Sequence, residues 1–258
     1  MKISILIPVY NEFRTLPLVL ERVLKAPLPA GCEREVVIVD DGSTDGTTEL
    51  LRELMARYGD SPFIVAHHSA VNFGKGAALR LGLAKATGDI VLIQDGDMEY
   101  EPNDYPKILE PLVQGKQQVV YGSRFMGTMK KSMKWSNFLA NKILTYSSNI
   151  MFGAGITDEA TAYKAFHMSV LRGLRLECIR FEFCPEVTAK VRRLGYHIHE
   201  VPISYNPRAI AEGKKIRWQD GVEALWTLIR YRLAPLERFD RRPAPTVAAA
   251  SRSTGVTS

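Results

Sequence analysis

Short apolar runs recur along this chain, and several of them stop abruptly at acids or glycine. Ile3 to Ile7, Val36 to Val39, Ile90 to Ile93 and Val119 to Tyr121 share this pattern. Runs of β-branched and aliphatic residues of this length read as strands covered on both faces, as at the centre of a parallel sheet. Stretches with helical spacing lie between them. One is opened by Asn11 as its cap, one covers Thr47 to Arg57 with Asp45 at its start, one runs from Asn72 through Ala86, and one covers Asn103 to Gln114. A further short strand fits Ser61 to His68. The alternation predicts an α/β fold, a doubly wound, mostly parallel sheet flanked by crossover helices. Pro8 carries no N–H, so the first strand is expected to lose its pairing there. A helix from Pro185 to Leu194 and a strand from His197 to Tyr205 complete a main domain over residues 1–221. An amphipathic helix is expected within 222–240. Beyond it, 241–258 is rich in Pro, Ala, Ser and Thr without periodicity and reads as a disordered tail.

Composition narrows the classes without choosing one. The 258 residues are 46% hydrophobic and 24% charged, an ordinary globular mixture. Three cysteines, Cys32, Cys178 and Cys184, show no metal-ligand spacing and read as reduced thiols, which points to a cytosolic setting. The first residues lack a long apolar core followed by a cleavage site, so no signal peptide is expected, and no segment reaches about 18 uninterrupted apolar residues. The net charge of +6 favours anionic partners. No zinc, helix-turn-helix or RNP signature supports nucleic acid among them. No GxGxxG follows a strand and no P-loop spacing is present, which disfavours dinucleotide and P-loop chemistry.

Candidate chemistry sits at the ends of the apolar runs, where ligands of open α/β sheets bind. Asp95-Gly96-Asp97 closes the Ile90 to Ile93 run and offers hard oxygens for Mg²⁺ or Mn²⁺; the same triplet is also ordinary turn chemistry. Lys75, between two glycines at a helix start, is placed for a phosphate contact through free N–H groups and the helix dipole. Arg124 at the tip of the Val119 strand is a second phosphate candidate, with a plain surface arginine as the alternative. The stretch Lys130 to Tyr146 carries lysines, Trp135 and apolar residues three and four apart. It fits a membrane-interface helix or an ordinary core helix equally well.

Taken in order, Ile7-Pro8-Val9-Tyr10-Asn11-Glu12, Val39 to Gly46, Gly74-Lys75-Gly76, Asp95-Gly96-Asp97 and Gly122-Ser123-Arg124 resemble the family 2 inverting nucleotide-sugar glycosyltransferases. Within that family the chain is most similar to the dolichyl-phosphate mannosyl synthase branch and its bacterial polyprenyl-phosphate relatives, over residues 1–221. The resemblance implies a GT-A fold. It implies a donor pocket of Pro8, Tyr10, Glu12, Asp40 and Asp41, and a metal at Asp95 and Asp97 bridging the diphosphate. Glu99 stands where relatives often place Gln and is a candidate third ligand. The basic stretch Tyr205 to Trp218 resembles a loop that grips donor or acceptor phosphate, with Arg208 and Lys215 matching best; a solvated loop is the alternative.

The resemblance further implies that an acid in the stretch Gly155 to Phe166 can serve as base, with Asp158 and Glu159 as candidates. The need for a base depends on the acceptor, because a phosphate is already an anionic nucleophile whereas a hydroxyl must lose a proton as it attacks. The expectation is therefore a metal-dependent hexosyltransferase using a GDP- or UDP-sugar and a polyprenyl phosphate, peripheral on the cytoplasmic face of a membrane. A hydroxyl acceptor with the same donor, and a non-catalytic nucleotide-sugar or nucleic-acid binder, remain alternatives.

Overall fold

The structure is a computed structural model that describes residues 1–58, 64–127, 133–207 and 218–241. In chain order it forms β1 (Lys2–Val9), α1 (Leu16–Lys25), β2 (Glu33–Asp40), α2 (Thr47–Tyr58), β3 (Ile64–His68), α3 (Lys75–Lys85), β4 (Ile90–Ile93), α4 (Tyr105–Val113) and β5 (Val119–Ser123). There follow α5 (Trp135–Phe152), β6 (Lys164–His167), α6 (Met168–Arg172), α7 (Phe183–Arg193), β7 (His199–Pro202) and α8 (Trp218–Leu233). Seven strands lie in the order β3-β2-β1-β4-β6-β5-β7. All neighbours are parallel except at β6, which runs antiparallel to both β4 and β5. The sheet is mostly parallel, as expected, and β6 is its one reversed strand.

Each apolar run alternates its side chains between two cores, as the period-two pleat requires. Ile3, Ile5, Ile7, Val36, Ile38, Ile90 and Leu92 face one core with α1, α2 and α4. Leu6, Val37, Val39, Val91 and Ile93 face the other with α3, α5, α7 and α8. All four residues of β4 are buried, which is why its run reads without alternation. The boundary expected at residue 221 falls inside α8. Ala224, Leu228 and Tyr231 of that helix join the second core, and the Tyr231 hydroxyl donates to Glu177 at 3.0 Å and Glu186 at 3.1 Å.

Two local expectations are corrected. β1 does not stop at Pro8: it runs through Val9, with Pro8 in register with Val39. Even-numbered residues of β1 point their amide groups toward β4, where Leu6 O accepts from Gln94 N at 2.9 Å and pairing then ends. The missing N–H of Pro8 therefore falls on the side that has already stopped pairing. Asn11 does not cap a helix either. It adopts φ 52°, which Asn tolerates, and its side chain accepts from Thr44 N at 2.8 Å while its own N–H donates to Ser43 at 2.9 Å. Asn11 stitches the tip of β1 to the loop after β2, and α1 begins later, at Leu16.

Candidate functional site

Because β1, β2, β4, β5 and β7 are mutually parallel, their carboxyl ends share one edge, and the reversed β6 begins at that edge. The topology therefore gathers Pro8 to Glu12, Asp40 to Asp45, Asp95 to Glu99, Arg124, Thr157, Asp158 and Tyr205 around a single crevice. Gly96 lets the acid pair approach the tip of β1 closely. A Cβ there would lie 2.8 Å from the Val9 side chain and 3.3 Å from the Pro8 carbonyl oxygen, so only glycine fits.

The two acids after β2 hold loops. Asp40 is fully buried and accepts from Ser43 N at 3.1 Å, Ser43 Oγ at 2.6 Å, the Thr48 hydroxyl and His68 Nδ1 at 3.0 Å. Burial pushes its pKa up, but these hydrogen bonds outweigh it and the carboxyl sits below the usual range. Asp41 accepts from Phe73 N at 2.9 Å and Gly74 N at 2.6 Å, and burial leaves its pKa raised. Glu12 accepts from the Thr15 hydroxyl at 2.5 Å, and its N–H donates to Thr47 at 3.0 Å. Pro8 and Tyr10 remain partly exposed beside it.

The start of α3 departs from expectation. Gly74 N is bound by Asp41, while Gly76 N and Ala77 N donate to the carbonyls of Arg180 at 2.8 Å and Ile179 at 2.9 Å. Those amides are satisfied internally, so the expected phosphate contact through free N–H groups there is withdrawn. What remains is the Lys75 side chain, whose ammonium donates to Asp95. Burial pulls the Lys75 pKa down, but Asp95, with Asp97 contributing, more than offsets it and the net shift is upward. A cation already resting on this carboxylate shows that the strand tip suits positive charge, and the donors are the hard oxygens a divalent ion prefers. Asp97 accepts from Glu99 N at 3.0 Å. The Glu99 carboxylate accepts from the Tyr205 hydroxyl at 2.7 Å. Among the described residues no three acids, histidines or cysteines converge into a ready ligand cluster, so Glu99 is not assembled with the aspartates.

On the other side of the crevice Arg124 and Asp158 form a buried fork-to-fork pair. Nε donates to Oδ2 at 2.7 Å and Nη2 to Oδ1 at 2.6 Å, with side chains 7% and 0% exposed. Asp158 also accepts from the Arg124 amide at 3.0 Å and from Asn141 Nδ2 at 2.8 Å. Burial opposes its ionisation, yet the arginine and the hydrogen bonds hold its pKa below the usual range. The guanidinium carbon stands 5.0 Å from the Tyr205 ring centroid. Glu200 of β7 clamps the loop by accepting from Thr157 N at 2.6 Å and Asp158 N at 3.1 Å. Glu159 points away, into the core. It is fully buried with both carboxylate oxygens lacking a hydrogen bond, and burial raises its pKa to about 7.

Sequence reasoning missed Gln94, Asn141, Glu200 and Tyr205. Gln94 is buried and accepts from Tyr105 OH at 2.8 Å and Tyr163 OH at 2.7 Å, while its amide donates to Asp95 O at 2.9 Å, fixing the backbone of the acid pair. Its place between the apolar run and Asp95 was the available signal. Arg208 and Lys215 lie outside the described residues, as do 130–132 of the expected interface helix. The described helix α5 leaves Trp135, Leu139, Ile143, Tyr146 and Ile150 exposed, and α8, which packs on it, leaves Val222, Trp226, Ile229 and Leu233 exposed. A groove of about 550 Å³ along α5, lined by Lys142, Ile143, Tyr146, Ile156 and Thr157 among others, leads to the Asp158 loop.

The profile of glycosyl transferase family 2 matches residues 4–175. An undecaprenyl-phosphate mannosyltransferase of Micrococcus luteus is 31% identical, over 90% of this chain and 99% of its own. An undecaprenyl-phosphate 4-deoxy-4-formamido-L-arabinose transferase of Aeromonas hydrophila is 30% identical over 82% of this chain and 62% of its own. Among solved structures, glucosyl-3-phosphoglycerate synthase from Mycobacterium tuberculosis, in complex with Mn²⁺, UDP-glucose and phosphoglyceric acid, superposes with a TM-score of 0.68 at 22% identity. That match covers 91% of this chain and 80% of the other. The seven-stranded mixed sheet with its edge crevice is a GT-A fold, and the chain belongs to glycosyl transferase family 2, the glycosyltransferases.

Proposed function

We propose that the protein transfers a hexose from a nucleoside-diphosphate sugar to a polyprenyl phosphate, with inversion, at a membrane surface. The observation that carries the choice of acceptor is the state of the two candidate bases. Asp158 is occupied by four donors and held ionised by Arg124, so it has no free lone pair aimed at an incoming hydroxyl. Glu159 is sealed in the core. A phosphate acceptor attacks without losing a proton, so a site whose two candidate bases are both committed elsewhere suits it. The names of the Micrococcus and Aeromonas relatives, both undecaprenyl-phosphate transferases, support the same reading.

In this reading Pro8, Tyr10 and Glu12 line the pocket for the base and ribose of a GDP- or UDP-sugar, and Asp40 and Asp41 hold the loops that shape it. Asp95 and Asp97 would hold Mg²⁺ or Mn²⁺, which supplies positive charge to the departing diphosphate. Glu99, which accepts from Tyr205, would be a third ligand. Arg124, anchored by Asp158 and lying against Tyr205, contributes a fixed positive field to the acceptor side, and Arg208 and Lys215 would add positive charge for phosphate. The apolar faces of α5 and α8, with Lys134, Lys142, Arg230 and Arg232 beside them, would rest on an anionic bilayer, here assigned to the cytoplasmic leaflet. No described helix is long and apolar enough to cross a membrane, which is consistent with surface contact.

The test is a panel of radiolabelled GDP- and UDP-sugars offered with vesicles containing undecaprenyl phosphate, undecaprenol or no acceptor. Label should enter the organic phase only with the phosphorylated lipid. Transfer to undecaprenol, or to water-soluble hydroxyl compounds alone, would overturn the acceptor assignment.

A further inference from the structure

The ion pair between Lys75 and Asp95 has a consequence for how the site loads. Lys75 is the first residue of α3, and the backbone around it is pinned. Gly74 N is bound by Asp41, and Gly76 N and Ala77 N by the carbonyls of Arg180 and Ile179. Gly74 and Gly76 pack so closely on residues 178–180 that a Cβ on either would lie 2.6 Å and 2.9 Å from backbone atoms. The helix start therefore cannot retreat, and only the flexible lysine stem can move. Its ammonium occupies Asp95 in a half-buried setting, the two side chains being 25% and 18% exposed.

A divalent ion on Asp95 and an ammonium donating to the same carboxylate repel each other at such short range. The two therefore compete for Asp95. A displaced ammonium on a pinned helix needs a new anion within reach of a four-carbon stem, and the diphosphate of an arriving donor would be one. We infer that Lys75 is an internal cation that occupies Asp95 against a free divalent ion and moves to the donor diphosphate when metal and nucleotide arrive together. Metal and nucleotide are then coupled through one side chain. Each tightens the other's binding by the same factor, because linkage is reciprocal. The inference rests on the proposed metal role of Asp95.

The test is Mn²⁺ binding followed by electron paramagnetic resonance, a readout independent of turnover. It uses the full chain and its Lys75→Met, Lys75→Arg and Asp95→Asn variants, with and without UDP or GDP. Wild type and Lys75→Arg should bind Mn²⁺ weakly alone and roughly tenfold or more tightly with nucleotide, within the usual range of coupling. Lys75→Met should bind Mn²⁺ alone more tightly than wild type and gain less from nucleotide than wild type does. If Lys75→Met binds Mn²⁺ alone no better than wild type while Asp95→Asn has lost binding, the metal site stands and the displacement is wrong. If Asp95→Asn binds Mn²⁺ as well as wild type does, or no variant binds it under any condition, the metal assignment itself falls and the inference with it.

Discussion

At the scale of single residues, the crevice separates side chains that are spent on the fold from those free to meet a ligand. Asp40, Asp41 and Asp158 have their oxygens committed to protein donors, whereas Asp95 accepts from the flexible Lys75 side chain. Asp97→Ala should abolish transfer and metal-dependent nucleotide binding. The fold should stay intact. Calorimetric titration with nucleotide and Mn²⁺ checks this, and undiminished turnover in EDTA would refute the metal role. Glu159 supports a prediction about pH. Its folded pKa, about 7, stands above the ordinary 4.5 because burial disfavours its charged form. The unfolded chain therefore releases this proton first, and the carboxyl costs stability increasingly as pH rises from 4.5 toward 7, by up to roughly 3 kcal/mol. Glu159→Gln should gain melting temperature relative to wild type between pH 5 and pH 8. Parallel melting curves at the two pH values would argue against it.

At the scale of elements, what was legible in the sequence was local. The apolar run of β4 and its acidic tip, the start of α3 at Lys75 and the acids after β2 all follow from neighbours in the chain. Asn141, Glu200 and Tyr205 were not legible, because each acts on a residue far away in sequence. Asn141 reaches Asp158 from α5, Glu200 reaches the same loop from β7, and Tyr205 reaches Glu99. An expectation of free amides at α3 failed for the same reason, since the carbonyls that occupy them come from residues 179 and 180. Amphipathicity was legible in the α5 segment, but not which face turns outward. The answer is an unusual one, with Trp135, Tyr146 and Ile150 outside at 72%, 69% and 65% exposure. Leu139→Glu with Trp226→Glu should reduce co-sedimentation with anionic vesicles several-fold. It should leave the melting temperature nearly unchanged, since exposed substitutions away from special features usually stay within about 0.5 kcal/mol.

At the scale of the whole molecule, the +6 net charge and the apolar helix faces should act together. Vesicle binding should require anionic lipid and weaken as salt rises, because screening shortens the reach of exposed charge. A gel shift with duplex or single-stranded nucleic acid at physiological salt should be negative; a clear shift there would reopen the basic-binder reading. The alternation of strands and helices announced the sheet but not its one reversal. Nothing in the Lys164 to His167 stretch marks it as antiparallel, since direction is decided by the slot it fills between β4 and β5. That slot bears on biosynthesis. While the chain is being made, β4 and β5 emerge well before the strand that joins them, and each presents a bare edge of unpaired amides. A nascent chain halted just short of residue 164 should therefore hold its β1 to β4 half as one protected unit while β5 stays sensitive to protease. Extension past His167 should protect both halves together, so that the Arg124 and Asp158 pair comes into being only when the last central strand arrives.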